Sequence, residues 1–245
     1  MQVKRYKKDC AYSYALGASV TIELLENRPR DCLRVISCPD YNDAAKAGLK
    51  SLCASNDIAF GENRRLINIL SPKENCYVIG MFGKREYKLA KKEPHVVLDN
   101  PSDMGNIGTI MRSCAGFGVK NIALINGADA YNPKTVRASM GAFFHVNLEY
   151  FRSIQEYLAA YGEGRALYAF MTNAGYELTD IKPGKIYSLI FGNEASGLDC
   201  NIYKDTAERI TISHANSIDS LNLPVAAGIA LFWFTRDKNI DKNIF

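Results

Sequence analysis

No stretch of this sequence is apolar for long enough to cross a bilayer. The longest apolar run, residues 225–234, falls well short of the roughly 18–20 residues that a spanning helix needs. No C-x-x-C pair occurs, and the cysteines at 10, 32, 38, 53, 76, 114 and 200 are odd in number. A disulfide framework is therefore not expected; a reduced, cytoplasmic chain is. His95, His145 and His214 stand far apart without metal-ligand spacing, so no metal site is expected. The basic start (Lys4, Arg5, Lys7, Lys8) is not followed by an apolar block, so no secretory leader is expected. Internal repeats and low-complexity tracts are absent. Neither G-x-G-x-x-G nor G-K-[ST] opens a helix, which removes the usual signatures of dinucleotide and nucleoside triphosphate binding.

What is present is an ordinary globular composition. The 245 residues are 47% hydrophobic and 23% charged, with a formal net charge of +4. That suits one large domain or two small ones, with ample material for a core. The charge is unevenly spread: residues 1–94 carry a balance of +6, residues 95–245 one of −2. A basic front half is what a polyanion-binding module needs, although a solvated surface of uneven charge gives the same count.

The periodicity predicts a helix over 12–26, a strand over 32–38, a helix over 42–55 capped by Asn42 with Ala45, Leu49, Leu52 and Cys53 inward, a short helix over 62–70 stopped by Ser71-Pro72, and a strand over 76–82. Residues 83–93 (GKREYKLAKKE) are basic and nearly devoid of apolar side chains and read as a linker. This puts a domain boundary near residue 90. Beyond it, strands are expected at 96–98, 121–125, 167–171, 186–191 and 209–212. Helices are expected at 107–117, 133–143, 153–161 and 221–236. Short apolar strands alternating with helices predict an α/β domain with a mostly parallel sheet.

Such sheets bind ligands at the carboxyl ends of their strands. Three loops there are rich in Gly, Asn, Ser and acidic residues: 99–108 (DNPSDMGNIG), 192–197 (GNEASG) and 213–222 (SHANSIDSLN). Asn106 suits the N-cap of the following helix. Arg112, near the edge of that helix's apolar stripe, either snorkels to solvent or fixes a cation against a phosphate or a reacting oxygen. The amides of Gly192 and Asn193 suit a purine edge or a carboxylate, or simply form a turn. Glu194 either ties its loop by accepting N–H bonds or binds substrate, and Ser220 suits an N-cap.

Taken in order, these loops resemble the motifs of the SpoU/TrmH family of RNA ribose methyltransferases. N-x-G-x-x-x-R is met by Asn106, Gly108 and Arg112, and G-x-E-x-x-G by Gly192, Glu194 and Gly197. I-P-x-x-G-x-x-x-S-L-N is met by Ile212, Ser220, Leu221 and Asn222, and the intervening segment 137–146 (RASMGAFFHV) is also family-like. Met104, Asn147, Ser213 and Asn216 depart from prolines or a glycine usual in the family. The resemblance covers residues 95–245. It implies an S-adenosylmethionine-dependent methyltransferase domain over 91–245 with a deep C-terminal trefoil knot. Residues 1–90 resemble the small α/β RNA-binding domain, related to a ribosomal-protein fold, that often precedes it. The implied chemistry is methyl transfer to a ribose 2′-hydroxyl, ribosomal RNA being favoured over transfer RNA; a non-catalytic RNA-binding paralogue is the other reading. Carried over, the catalytic set is Asn106, Arg112, Glu194, Ser220 and Asn222. The cofactor set is Met171, Thr172, Gly192, Asn193, Ile212 and Leu221. Lys4, Arg5, Lys7, Lys8, Arg64 and Arg65 are the candidate RNA contacts. The resemblance also implies a homodimer, with which the apolar closing helix and its Phe232-Trp233-Phe234 run are compatible.

Overall fold

The computed structural model describes residues 4–71, 75–172, 174–204 and 206–237. The chain divides into two compact units, Met1–Arg85 with Asp129–His145, and Glu86–Ala128 with Val146–Phe245. The division falls a few residues before the expected boundary. It also assigns residues 129–145, which in sequence lie between the first two motifs, to the first unit.

In the first unit a four-stranded mixed sheet has the order β1 (Tyr12–Leu16), β4 (Val78–Gly83), β2 (Cys32–Ser37), β3 (Phe60–Glu62). Only the β2–β3 pair is parallel. Helices α1 (Ala18–Asn27), α2 (Asp43–Ser55) and α3 (Arg64–Leu70) connect the strands, and α5 (Pro133–Ala138) belongs to the same unit. The single helix expected over 12–26 is a strand and a helix. Gly17, at φ 107°, separates them in a conformation that L side chains rarely adopt, and β1 pairs along its length with β4. The Asn42 cap forms, its side chain accepting from Ala45 N–H. Ala45, however, is exposed, and the inward position is taken by Lys46, whose Nζ donates to Pro39 O and pairs with Glu62 at 3.4 Å. The expected helix over 62–70 begins after β3 instead, with Asn63 as its cap; Pro72 lies outside the described residues. The helix over 133–143 is α5 followed by a 3₁₀ turn at Ala142–His145. Tyr14, Ile36, Ile67, Ile79 and Met81 form a core cluster, each buried side chain contributing about 1.5–3 kcal/mol.

In the second unit seven strands, counted among the described residues, form one parallel sheet. Its order is β7 (Asn147–Phe151), β6 (Asn121–Ile125), β5 (His95–Asp99), β10 (Tyr187–Phe191), β8 (Ala166–Phe170), β11 (Glu208–Thr211), β9 (Tyr176–Glu177). Helices α4 (Met104–Gly116), α6 (Ile154–Tyr161), α7 (Cys200–Tyr203) and α8 (Leu223–Thr235) complete it. Val97, Ile125, Tyr157, Ala169 and Ile190 are central to its core. From β5 the chain first builds outward through β6 and β7, then returns to build β8, β10 and β11 on the other side. The order therefore reverses next to β5, where an open α/β sheet forms its ligand crevice.

The basic stretch over 83–93 is not a free linker throughout. Leu89 is buried, and its N–H donates to Glu149 and to the Tyr161 hydroxyl. Ala90 N–H donates to Asn121 Oδ1, which in turn binds Glu93 through its amide. Backbone donors that need partners, together with the Lys88–Glu149 ion pair at 2.6 Å, hold this segment in place.

Candidate active site

The loop following β5 and the loop following β10 are joined by one carboxylate. Glu194 accepts from Ser102 N–H (3.0 Å) and Ser102 Oγ (2.7 Å) on Oε2, and from Asp103 N–H (3.1 Å) and Asn106 Nδ2 (3.0 Å) on Oε1. Burial pushes the carboxyl up, but the hydrogen bonds from Asn106 and Ser102 outweigh it and bring it down to about 2. Glu194 is thus an ionised, fully engaged tie and has no role in taking up a proton near neutral pH.

Asn106 is not the cap of α4. Asp103 is, accepting from Asn106 N–H at 2.8 Å, which frees the Asn106 amide for Glu194. The segment from Asp99 to Asn106 carries several cap-forming residues, and sequence spacing alone does not choose Asp103 over Asn106.

The second loop closes on itself. Asn193 N–H donates to Gly197 O (3.2 Å), and Gly197 N–H to Asn193 O (2.9 Å). The Asn193 side chain accepts from Ala195 and Ser196 N–H and donates to Asn100 O. A Cβ on Gly192 would overlap the backbone of Gly197 and Leu198. Gly192 is therefore a packing requirement, and Asn193 is committed to holding the loop.

These loops border a cavity of about 670 Å³, together with the chain after β8 and the loop between β11 and α8. Of the eleven catalytic and cofactor candidates, ten line it: Asn106, Glu194, Ser220 and Asn222 from the catalytic set, and all six of the cofactor set. Met171 is placed by its N–H bond to Ile210 O, and Thr172 O accepts from Thr211 Oγ1. Ser220 does not cap α8; Asn222 holds the cap position without a side-chain bond. The polar side chains of Ser220 and Asn222 make no hydrogen bond among the described residues and remain available to a ligand. Arg112 does not line the cavity. It is exposed on α4, without a partner among the described residues. His214 and Asp219 line the cavity without having been singled out in sequence. His214 Nδ1 is 2.8 Å from Ile212 O, which orients the ring.

In the first unit Lys4, Arg5, Lys7, Lys8, Arg64 and Arg65 are all exposed. Arg5 Nε donates to Ile69 O at 3.1 Å, which brings the basic N-terminal stretch to α3, where Arg64 and Arg65 sit. Arg64 pairs with Asp40.

An open parallel sheet with a ligand-sized cavity at the carboxyl ends of its strands defines an α/β ligand-binding protein. The model of the SpoU rRNA Methylase family matches residues 93–232, and the chain belongs to that family. It is similar to the 23S rRNA (guanosine(2553)-2′-O)-methyltransferase RlmP of Bacillus subtilis, with 31% identity over 149 residues, and spans about 60% of that relative's length and 60% of its own. An AdoMet-bound rRNA methyltransferase from Sinorhizobium meliloti has a similar structure, at TM-score 0.77 and 26% identity over 92% of this chain and 87% of that one. A structure concerned with 2-OH methylation of C/U34 on tRNA matches at TM-score 0.56 and 28% identity, over 60% of this chain and 97% of that one.

Proposed function

We propose that this protein transfers a methyl group from S-adenosylmethionine to a ribose 2′-hydroxyl of RNA, with ribosomal RNA as the substrate. The observation that carries this reading is the convergence of residues from all three motif loops on one cavity. The cavity suits the cofactor. Its volume lies in the range of small-molecule sites, Phe170, Leu198 and Ile210 supply apolar wall, and among the described residues its charged lining is acidic, Glu194 and Asp219, without a lysine or arginine. An acidic, cation-free lining favours a ligand that carries a positive sulfur.

S-adenosylmethionine bound there supplies an activated methyl on a sulfonium. Main-chain groups at Gly192, Ile212 and Leu221 hold it, with Met171 and Thr172 forming the wall after β8. Glu194 locks the two loops at the strand-order reversal, so alignment is built in before substrate arrives. Ser220 and Asn222 present uncommitted polar groups to the ribose. Transfer forms the O–CH3 bond, breaks the S–CH3 bond to leave neutral S-adenosylhomocysteine, and releases the hydroxyl proton to solvent water, since neither the engaged Glu194 nor a guanidinium is suited to take it. Arg112, outside the cavity and exposed, holds the target phosphate or steadies the developing alkoxide.

The first unit, with its basic excess and exposed Lys4, Arg5, Lys7, Lys8, Arg64 and Arg65, grips RNA by phosphate charge and shape. Val225, Ile229 and Phe232 form an exposed apolar face on α8, spaced three and four residues apart, 49%, 38% and 59% exposed. This face supports a homodimer, and the family resemblance supports a knot formed by the C-terminal segment. No helix among the described residues is long and apolar enough to cross a membrane. Transfer RNA is the second reading, favoured by the likeness to the C/U34 methylation structure.

Incubation with methyl-labelled S-adenosylmethionine and total RNA tests the proposal. Label on ribose O2′ of ribosomal RNA is expected. Label on O2′ of transfer RNA selects the second reading, and label on a base, on protein or nowhere contradicts both. A chain that binds RNA but not S-adenosylmethionine in calorimetry is the non-catalytic paralogue.

A further inference from the structure

In the first unit, β2 and β3 run parallel and end side by side, Ser37 opposite Glu62, while β4 begins beside them with Val78 opposite Ser37. This end of the sheet gathers the loop carrying Tyr41, the start of α3 with Arg64 and Arg65, and Tyr77 just before β4. The Tyr41 and Tyr77 rings are stacked, 6.2 Å between centroids and 27° between planes. The Arg64 guanidinium lies 5.8 Å from the Tyr77 ring centre. Tyr41 rests on the apolar cluster that includes Ile36 and Ile67, so the pair has a rigid base, while Tyr77 is 38% exposed.

Several packed tyrosines of this chain tie down their hydroxyls, although, among the described residues, buried Tyr168 does not. Tyr14, Tyr157, Tyr161 and Tyr203 each bond an internal acceptor or hydroxyl. Among the described residues, the hydroxyls of Tyr41 and Tyr77 bond nothing. A stacked pair held at the surface beside the Arg64 guanidinium, with Arg65 following it in sequence on α3, exposed and without a partner among the described residues, leaves aromatic and cationic groups open at this end of the sheet. That combination matches the π-face and phosphate of an unpaired nucleotide, whereas duplex RNA keeps its bases stacked inside.

We propose that Tyr41 and Tyr77, with Arg64 beside them and Arg65 next on α3, form a stacking platform for unpaired nucleotides of the RNA substrate. The platform rests on the RNA reading above and adds to it a preference for single-stranded segments. Arg64, paired with Asp40 and set against Tyr77, braces the rings; Arg65 meets the phosphate.

Fluorescence anisotropy of the full chain tests this, with a labelled 12-nucleotide oligoadenylate and a blunt RNA duplex as probes. The double substitution Tyr41→Leu with Tyr77→Leu is expected to weaken oligoadenylate binding roughly tenfold or more and to change duplex binding less than about twofold, with the salt dependence unchanged. Tyr41→Phe with Tyr77→Phe is expected to bind like wild type, and S-adenosylmethionine affinity is expected to hold in every variant. Should the leucine pair unfold the unit, Tyr77→Ser at the exposed ring alone is expected to weaken oligoadenylate roughly fivefold. Wild-type affinity in the leucine or serine variant overturns the platform and leaves the pair to a protein partner. Equal loss in the phenylalanine variant overturns stacking in favour of the hydroxyls. A wild-type chain that binds neither probe overturns the RNA reading itself; one that binds the duplex alone overturns only the platform.

Discussion

The two ends of the parallel sheet each hold one ionised side chain in several hydrogen bonds, and they hold it for different purposes. At the carboxyl end Glu194 ties two loops and borders the 670 Å³ cavity. At the amino end Arg165, 7% exposed, donates to the carbonyls of Tyr161, Glu93, Tyr187 and Lys91 at 2.8–3.1 Å. Its neighbour His95 is fully buried beside Tyr157, and burial, reinforced by the Arg165 charge, lowers the imidazole from 6.5 to about 4. The Arg165 network fixes the segment leading into β5 and spends its donors doing so. Around the cavity, the side chains of Ser220 and Asn222 stay uncommitted among the described residues. A perturbed buried group is a mark of order; function shows where uncommitted groups remain beside it.

Substitutions separate the two ends. Arg165→Leu leaves four carbonyls without their donor and is expected to cost on the order of 4 kcal/mol, read by urea denaturation, with S-adenosylmethionine affinity of the folded fraction unchanged. Glu194→Gln replaces an acceptor of four donors by an amide. It is expected to cost about 2 kcal/mol and, unlike Arg165→Leu, to weaken S-adenosylmethionine in calorimetry as the loops part. Gly192→Ala forces the loop backbone to shift and is expected to lower cofactor affinity roughly tenfold with about 1 kcal/mol or less of lost stability; unchanged affinity would detach this loop from the site.

The smallest effect near neutral pH is the acid response, and it too distinguishes the ends. His95 is held neutral in the folded chain, so its contribution is complete above 6.5 and is lost as pH falls toward about 4. Glu194 is held ionised, so its contribution persists until pH drops below the ordinary carboxylate value of 4.5 and is lost toward about 2. Stability measured against pH is expected to decline first through the upper window. His95→Leu should flatten that window alone, and Glu194→Gln the lower one alone.

The second unit was largely legible because its strands are short apolar runs between loops of unmistakable composition, as at 121–125 and 186–191. Residues 12–16 misled because YSYAL reads into the helix behind it, and only the positive φ of Gly17 reveals the break. Ten candidates meet at the cavity because the loops that carry them converge at the carboxyl end of the parallel sheet. The tie from Ser102 and Asp103 to Glu194 was not legible because it joins partners about 90 residues apart; the Asp103 cap is local, and only the competing cap former Asn106 hid it. The docking of 88–90 onto Glu149, Tyr161 and Asn121 was hidden for the same reason: charge dominates the local composition, while distant acceptors set the path.

The division of labour between the cavity and Arg112 is tested most directly by one variant measured twice. Arg112→Ala is expected to abolish methyl transfer to ribose O2′ while S-adenosylmethionine, titrated by calorimetry, binds within a few-fold of wild type. An active Arg112→Ala enzyme, or one that has lost the cofactor, would contradict the account.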